Sequence, residues 1–215
     1  MKKCFSSLVP SLVPNPLLVF PKIPPLIQTE FVLYEDFITE KEEESLVHEL
    51  EPILKKIRYE SSHWDNAILS YRETEKSRWT PVNQALIERI KKLIFIPTGT
   101  VEPLDHVHIL DLSKDGEIKP HVDSVRFCGR IIGGLSLLSD SVMRLTCEKN
   151  KAEVYDAHLK RRSLYVMKDS FRYDFSHQVL SEKESKFRDN IIKRDRRISI
   201  IVRCQPRPED LVNES

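Results

Sequence analysis

The sequence has no excess of charge of either sign: 34 Lys+Arg stand against 33 Asp+Glu, a formal net charge of +1. No global field therefore gathers polyanions, and a nucleic-acid partner would need a local basic patch. No run of eighteen apolar residues exists, so neither a helical span nor stable membrane insertion is expected. Cysteine is scarce and scattered; Cys4, Cys128, Cys147 and Cys204 form no C-x-x-C pair. That excludes a disulfide-stapled scaffold and favours a reducing compartment, with the thiols serving as small buried hydrophobes. The remainder, 40% hydrophobic and 31% charged over 215 residues, suits one globular domain with a sizeable core, expected to act as a monomer.

Acidic residues are missing altogether from residues 1–28, which instead carry Lys2, Lys3 and six prolines from Pro10 to Pro25. Proline at this density forbids a helix interior. The segment reads as an extended tail or an organelle-import sequence. The domain is expected to occupy residues 29–205, with residues 206–215 as a C-terminal tail.

Two helices are marked. Thr39 and Glu42 make a capping box before Glu43 to Ile57, where Leu46, Leu50, Ile53, Leu54 and Ile57 form an apolar stripe. Thr80 stands as N-cap ahead of Pro81, with Leu86, Ile87, Ile90, Leu93 and Ile94 at helical spacing. The polar, aromatic stretch between them, Tyr59 to Trp79, reads as irregular structure or short strands. From about residue 106 the period changes to two. Strands are expected over Val107 to Leu112, Ile131 to Leu138, Val142 to Cys147, Val154 to Leu159, Ser163 to Met167, Arg172 to Val179 and Ile198 to Val202. Asp115-Gly116, Gly129 and Gly133-Gly134 are among the turn formers between them. Helices followed by many strands imply an α+β, mainly β architecture: a double-sheet barrel or jelly roll with helices packed on one sheet.

Within this β region lies His121-Val122-Asp123, followed by His177. On a strand, residues two apart share a face, so His121 and Asp123 can aim at one ion. Two imidazoles and one carboxylate are the ligand set of non-haem Fe(II) oxygenases, which leaves coordination positions open. The H-x-D triplet alone is a weak signal; its position after an acidic glycine turn, with a histidine downstream, strengthens it. Alternation would place Tyr173 and Phe175 beside His177 as an aromatic wall. His106 and His108 share a strand face and form a rival pair, ranked second because no carboxylate lies at the same spacing.

Arg197-Ile198-Ser199-Ile200-Ile201-Val202-Arg203 is the second unusual feature. Its apolar side suits packing on the helices, while Arg197, Ser199, Ile201 and Arg203 would look inward. Buried guanidinium groups are costly unless paired, so an anionic ligand is implied, and two arginines suit a dicarboxylate.

The order H-x-D, distal His, then R-x5-R resembles the AlkB family of Fe(II)- and 2-oxoglutarate-dependent dioxygenases, in particular its mitochondrial branch. The likeness extends through Ile118 to Ser124, Gly134 to Ser139, Ser141 to Leu145, Arg172 to His177 and Arg196 to Ser199, and upstream through His63-Trp64-Asp65 and Tyr71 to Trp79. It covers roughly residues 30 to 204. The resemblance implies a cupin-like double-stranded β-helix, with His121, Asp123 and His177 as both the metal ligands and the catalytic centre. Arg197 would hold the distal carboxylate of 2-oxoglutarate and Arg203 its other end, with Tyr165 and Ser199 nearby. Many members carry Asn and Tyr where Leu110 and Leu112 stand here, which leaves Tyr165 as their substitute. Nucleic-acid members carry a base-gripping lid, but the connection from Thr98 to Asp105 is short.

The implied cofactors are Fe(II), 2-oxoglutarate and O2, and the implied location is the mitochondrial matrix, which favours import for residues 1–28. The branch is associated with mitochondrial RNA, fat metabolism and programmed necrosis. Expected substrates are RNA, by N-demethylation, or a protein side chain, by hydroxylation. The rival from another class is a scaffold that binds metal and 2-oxoglutarate without turnover and acts through protein partners. Arg126, Phe127, Arg144 and Arg172 are candidates for the pocket mouth.

Overall fold

A computed structural model describes residues 12–14, 29–64, 66–99 and 101–211. The expectations for residues 1–28 therefore lie, apart from Leu12–Pro14, outside the described residues, as do those for Cys4 and residues 212–215. Leu12–Pro14 forms strand β1, antiparallel to β8 (Val154–Leu159).

Among the described residues, eleven strands hydrogen-bond into one antiparallel sheet. It folds on itself because one long strand, β5 (Val107–His121), serves two layers. The first part of β5 pairs with β13 (Arg197–Arg203), from Ile201↔His108 to Arg197↔Leu112. Beyond β13 lie β6 (Ile131–Leu137), β9 (Leu164–Lys168) and β2 (Phe31–Tyr34). The last part of β5 pairs instead with β10 (Phe175–Val179), which continues to β7 (Ser141–Cys147), β8 and β1. Strands β3 (Glu60–Ser62) and β4 (Ile68–Lys76) form a hairpin on the outer side of β5. The two layers face each other over a shared core in which Ile132, Tyr165 and Met167 meet Met143, Leu145 and Phe175. This is the expected jelly roll. Strands β11 (Lys186–Phe187) and β12 (Asn190–Ile191) make a small separate hairpin.

Two helices cover the outer face of the first layer. Helix α1 (Glu40–Leu54) starts with the expected capping box: Thr39 Oγ1 accepts from Glu42 N at 3.2 Å and Glu42 Oε2 accepts from Thr39 N at 2.8 Å. It ends at Leu54 rather than Ile57, because Arg72 takes the carbonyls of Leu54 (2.7 Å) and Ile57 (3.2 Å). Helix α2 (Pro81–Phe95) begins at Pro81 as expected, but Thr80 does not cap it. Its hydroxyl donates to Glu49 Oε2 of α1 at 2.8 Å, tying the helices together. Leu46, Leu50, Leu86, Ile90 and Ile94 pack on Ile198, Ile200 and Val202, the outward side of β13. The inward alternation of Arg197, Ser199 and Arg203 follows from that burial.

Several boundaries differ from expectation. Of the two readings of Tyr59 to Trp79, strands hold, since it contains the β3–β4 hairpin. Asp115-Gly116 does not end a strand, because β5 runs through it while changing partners between Leu112 and Ile118. Arg172 to Val179 is not one strand: a helical turn, α3 (Ser170–Tyr173), precedes β10. It forms because Asp169, at φ 52°, turns the chain and accepts from Arg172 N (3.0 Å) and Tyr173 N (2.9 Å). A last turn, α4 (Pro208–Leu211), lies in the expected C-terminal tail. Cys128, Cys147 and Cys204 are free and buried, as small hydrophobes should be.

Gly133 and Gly134 are not turn residues but the middle of buried β6. A Cβ on Gly133 would stand 2.2 Å from Ile94 Cδ1 of α2, and one on Gly134 would stand 2.2 Å from Tyr165 Cε1. Helix and aromatic ring both approach bare backbone, which a side chain would block.

Strands β4, β5 and β13 are held in register by Asp111, whose side chain is 0% exposed. Arg72 Nε reaches its Oδ2 at 2.7 Å, Arg196 Nη2 the same oxygen at 2.8 Å, and the Tyr59 hydroxyl donates to Oδ1 at 3.1 Å. Removing one partner of a buried ion cluster strands the others without water. We expect Asp111→Asn to destabilise the protein by about 3 kcal/mol or more in urea denaturation.

Candidate active site

His121 is the last residue of β5 and pairs directly with His177 in the middle of β10. Asp123 lies beyond the strand, in the loop towards β6, so it does not meet His121 through strand alternation; the loop turns its carboxylate back. Asp123 Oδ1 stands 3.2 Å from His121 Nε2 and 3.9 Å from His177 Nε2. The two imidazole rings are 4.3 Å apart, centroid to centroid. One ligand atom from each of the three lies within 4.8 Å of the others, and among the described residues no other group of His, Cys, Asp or Glu does this. His121 Nδ1 donates to the Lys119 carbonyl at 2.9 Å, which turns Nε2 towards Asp123 and His177.

Electrostatics prepare these groups for a cation. Burial opposes the charge on Asp123, but the His121 hydrogen bond and the nearby Arg203 guanidinium outweigh it, holding the carboxyl well below its usual range. Burial, then the neighbouring His121, pushes His177 down to about 3, so its imidazole stays neutral and able to ligate.

The cluster lines an inner chamber of about 80 Å³ whose floor is the inward side of β13. Arg197 is 1% exposed, and its Nε donates to Ser136 Oγ at 2.9 Å. Among the described residues it has no carboxylate partner, and burial lowers its pKa to about 10. A buried cation without an acid is what a ligand carboxylate completes. Ser199, Leu110, Met143 and Tyr165 line the same chamber; burial raises the Tyr165 phenol to about 12, so it stays protonated and can donate. Arg203 stands apart from Arg197, with Nη2 3.9 Å from Asp123 Oδ2.

The chamber opens through His121, Asp123, His108 and Arg203 into an outer cleft of about 690 Å³. Arg126 and Phe127 line this cleft as expected, Phe127 being 67% exposed. Arg144 does not; it pairs with Asp156 at 2.8 Å on the β7–β8 face. Arg172 does not either, being buried under the loop that follows Asp123. The aromatic wall is also absent: Tyr173 lies on α3, and Phe175 stacks on Phe171 at 4.4 Å. His106 and His108 each face a carboxylate on neighbouring β4, with His108 Nε2 2.8 Å from Glu73 Oε2 and His106 Nε2 3.5 Å from Glu75 Oε1.

Sequence periodicity gives no reason to single out Ser136, Met143 or Glu73. They are brought in by strand neighbours distant in sequence. The aromatic richness of Tyr59 to Trp79 is the signal for the cleft, whose rim includes Trp64 at 85% exposure.

A centre of this kind, on this jelly roll, defines an oxygenase that uses iron and 2-oxoglutarate. Residues 38–203 match the model of the 2OG-Fe(II) oxygenase superfamily. The chain is 48% identical over 180 residues, 84% of its length and 80% of the relative's, to the Bos taurus mitochondrial alpha-ketoglutarate-dependent dioxygenase alkB homolog 7. To the Mus musculus protein of the same name it is 45% identical, over 86% of this chain and 85% of that one. Two solved structures share the fold alone. A Trichoplax adhaerens prolyl hydroxylase with a peptide fragment has a TM-score of 0.60 at 10% identity, covering 88% of this chain and 89% of that one. A Pseudomonas putida prolyl-4-hydroxylase has a TM-score of 0.59 at 13% identity, covering 84% and 95%. The chain belongs to the 2OG-Fe(II) oxygenase superfamily and, within it, to the alkB homolog 7 family. It is an oxidoreductase whose cofactors are Fe(II), 2-oxoglutarate and O2.

Two outcomes follow from this geometry. Gly134→Ala drives a methyl into the Tyr165 ring, so 2-oxoglutarate binding measured by calorimetry should weaken at least tenfold while the far-UV spectrum is kept. For the metal-free protein, unfolded His177 binds a proton near its ordinary value of 6.5, whereas the folded residue does so only at about 3. The unfolded state therefore holds more protons across that window, and stability must fall as pH drops through it. Denaturation curves of His177→Gln should show a flatter dependence between pH 6.5 and 4.

Proposed function

We propose that the chain is a mitochondrial dioxygenase in which His121, Asp123 and His177 hold Fe(II) and Arg197 anchors 2-oxoglutarate. The observation that carries this is the convergence of three ligand atoms beside a buried guanidinium with no acidic partner. Bound iron, 2-oxoglutarate and O2 supply the oxidising chemistry: one oxygen atom leaves in succinate, released with CO2, and the other oxidises a substrate C–H bond. The protein's residues bind and orient. The imidazole Nε2 atoms and the Asp123 carboxylate offer one face of donors and leave the rest of the coordination sphere open. Arg197 binds the distal carboxylate, assisted by the Tyr165 hydroxyl and Ser199. Arg203, beside Asp123, neutralises charge at the metal-side end of the co-substrate. Leu110, Met143 and Ile201 exclude water from the chamber.

Two features of the outer cleft bear on the substrate. Glu73, Glu75 and Asp123 offset Arg126 and Arg203 there, so no basic track follows a phosphate backbone, which favours a protein side chain. The exposed rings of Trp64 and Phe127 favour the second reading, N-demethylation of RNA with an unstacked base between aromatics. In the connection that precedes β5, Leu104 is tied to the end of β13, its N donating to Arg203 O at 2.8 Å, and the β3–β4 hairpin flanks the cleft. Matrix localisation and import by residues 1–28 belong to the same reading, and the mitochondrial names of the relatives support a mitochondrial location; roles in programmed necrosis and fatty-acid metabolism rest on the family resemblance alone.

Protein purified without oxygen and supplied with Fe(II), 2-oxoglutarate and O2 should form succinate, and His121→Ala/Asp123→Ala should abolish this. Arg197→Met should raise the KM for 2-oxoglutarate by about tenfold to a hundredfold, the loss of one charge-assisted pair. Tight 2-oxoglutarate binding with no succinate from the unaltered protein would instead support the non-turnover scaffold. Comparing recombinant RNA and protein substrates in the same assay separates the two substrate classes.

A further inference from the structure

Arg172 is 1% exposed and, among the described residues, has no carboxylate partner. It belongs to α3, five positions before His177. Its hydrogen bonds nevertheless go to a different segment, the end of the loop that carries Asp123. Nε donates to the Gly129 carbonyl at 3.1 Å, and Nη2 donates to the Cys128 carbonyl at 3.1 Å and lies 3.2 Å from Cys128 Sγ. Nη1 is buried with no partner among the described residues.

That loop is a tight turn closed on Ser124, the residue after Asp123. Phe127 N donates to Ser124 O at 3.2 Å, Arg126 N to Ser124 Oγ at 3.2 Å, and the Cys128 thiol points to Ser124 O at 3.8 Å. Holding Cys128 therefore holds Ser124, and through it the backbone from which Asp123 projects. A second, more exposed tie runs parallel, with Arg130 bidentate to Asp169 at 2.7 Å.

We propose that Arg172 is a positioning residue for the metal centre, clamping the Asp123 loop onto the segment that leads into His177. The inference rests on the metal-centre reading above. Without the clamp, His121 and His177 remain fixed by strand pairing, while the Asp123 turn keeps only the ties of its far end, Arg130 to Asp169 and Gly129 N to Cys204 O at 2.9 Å, and loses its hold on Cys128. A buried arginine is costly to keep for packing alone, since an apolar side chain would fill the space without desolvating a charge. The fork of donors spans two carbonyls and a thiol at once, which lysine cannot reproduce. Phe127 sits in the same turn, so the clamp also fixes one wall of the outer cleft.

The test is Mn(II) binding to chelator-stripped full-length protein, measured by calorimetry and by electron paramagnetic resonance without 2-oxoglutarate, alongside melting temperature. The unaltered protein should bind one Mn(II). Arg172→Lys and Arg172→Gln should weaken that binding by about tenfold to a hundredfold, the usual effect of losing a group that orients a ligand. Ile90→Val, a mild core change in α2, should lower the melting temperature without moving Mn(II) affinity, separating stability from positioning. A folded Arg172→Lys protein with unaltered Mn(II) affinity overturns the clamp. If Arg172→Gln does not fold, the lysine variant alone decides. Failure of the unaltered protein to bind Mn(II) would remove the metal-centre reading itself, and the clamp with it.

Discussion

The structure depends on one buried carboxylate. Asp111 projects from β5 towards the helices and meets Arg72 from β4, Arg196 from the start of β13 and Tyr59 from the turn after α1. Three separate segments are thereby fixed against one strand. Because strand side chains alternate, a one-residue slip would exchange faces. Holding Asp111 outward holds Leu110 and Leu112 inward, and holding Arg196 outward at the start of β13 sends Arg197 into the chamber. The charge that the protein satisfies for itself on the outside thus sets the register of the charge left for a ligand on the inside.

The same logic of paired and unpaired charge organises the site. The fold surrounds Asp123 with His121, His177 and Arg203, which keeps the carboxylate ionised in a buried place. Among the described residues it surrounds Arg197 with a serine and a phenol but no acid. One end of the chamber is therefore built for a cation and the other for an anion. Fe(II) and 2-oxoglutarate would satisfy both requirements.

Much of this was legible in the sequence, and for physical reasons. The jelly roll follows from a change of period near residue 106, and the inward face of β13 follows from three apolar residues that must meet the helices. Residues local to a motif are the easy part. Less legible was anything set by strand neighbours far apart in sequence: Ser136 beneath Arg197, Glu73 beside His108, Arg172 beneath the Asp123 loop. Alternation also misled at strand ends. Asp123 lies past the end of β5, and Tyr173 lies on a turn before β10, so a period of two carried across either boundary assigns the wrong face. Gly133-Gly134 shows the same difficulty for glycine, which marks turns by its torsions but here serves by its missing side chain.

That glycine pair makes β6 a partition only one backbone thick, with Ile94 of α2 pressed against one surface and the Tyr165 ring against the other. At this spot a movement of the helix would meet the Tyr165 ring across bare backbone alone.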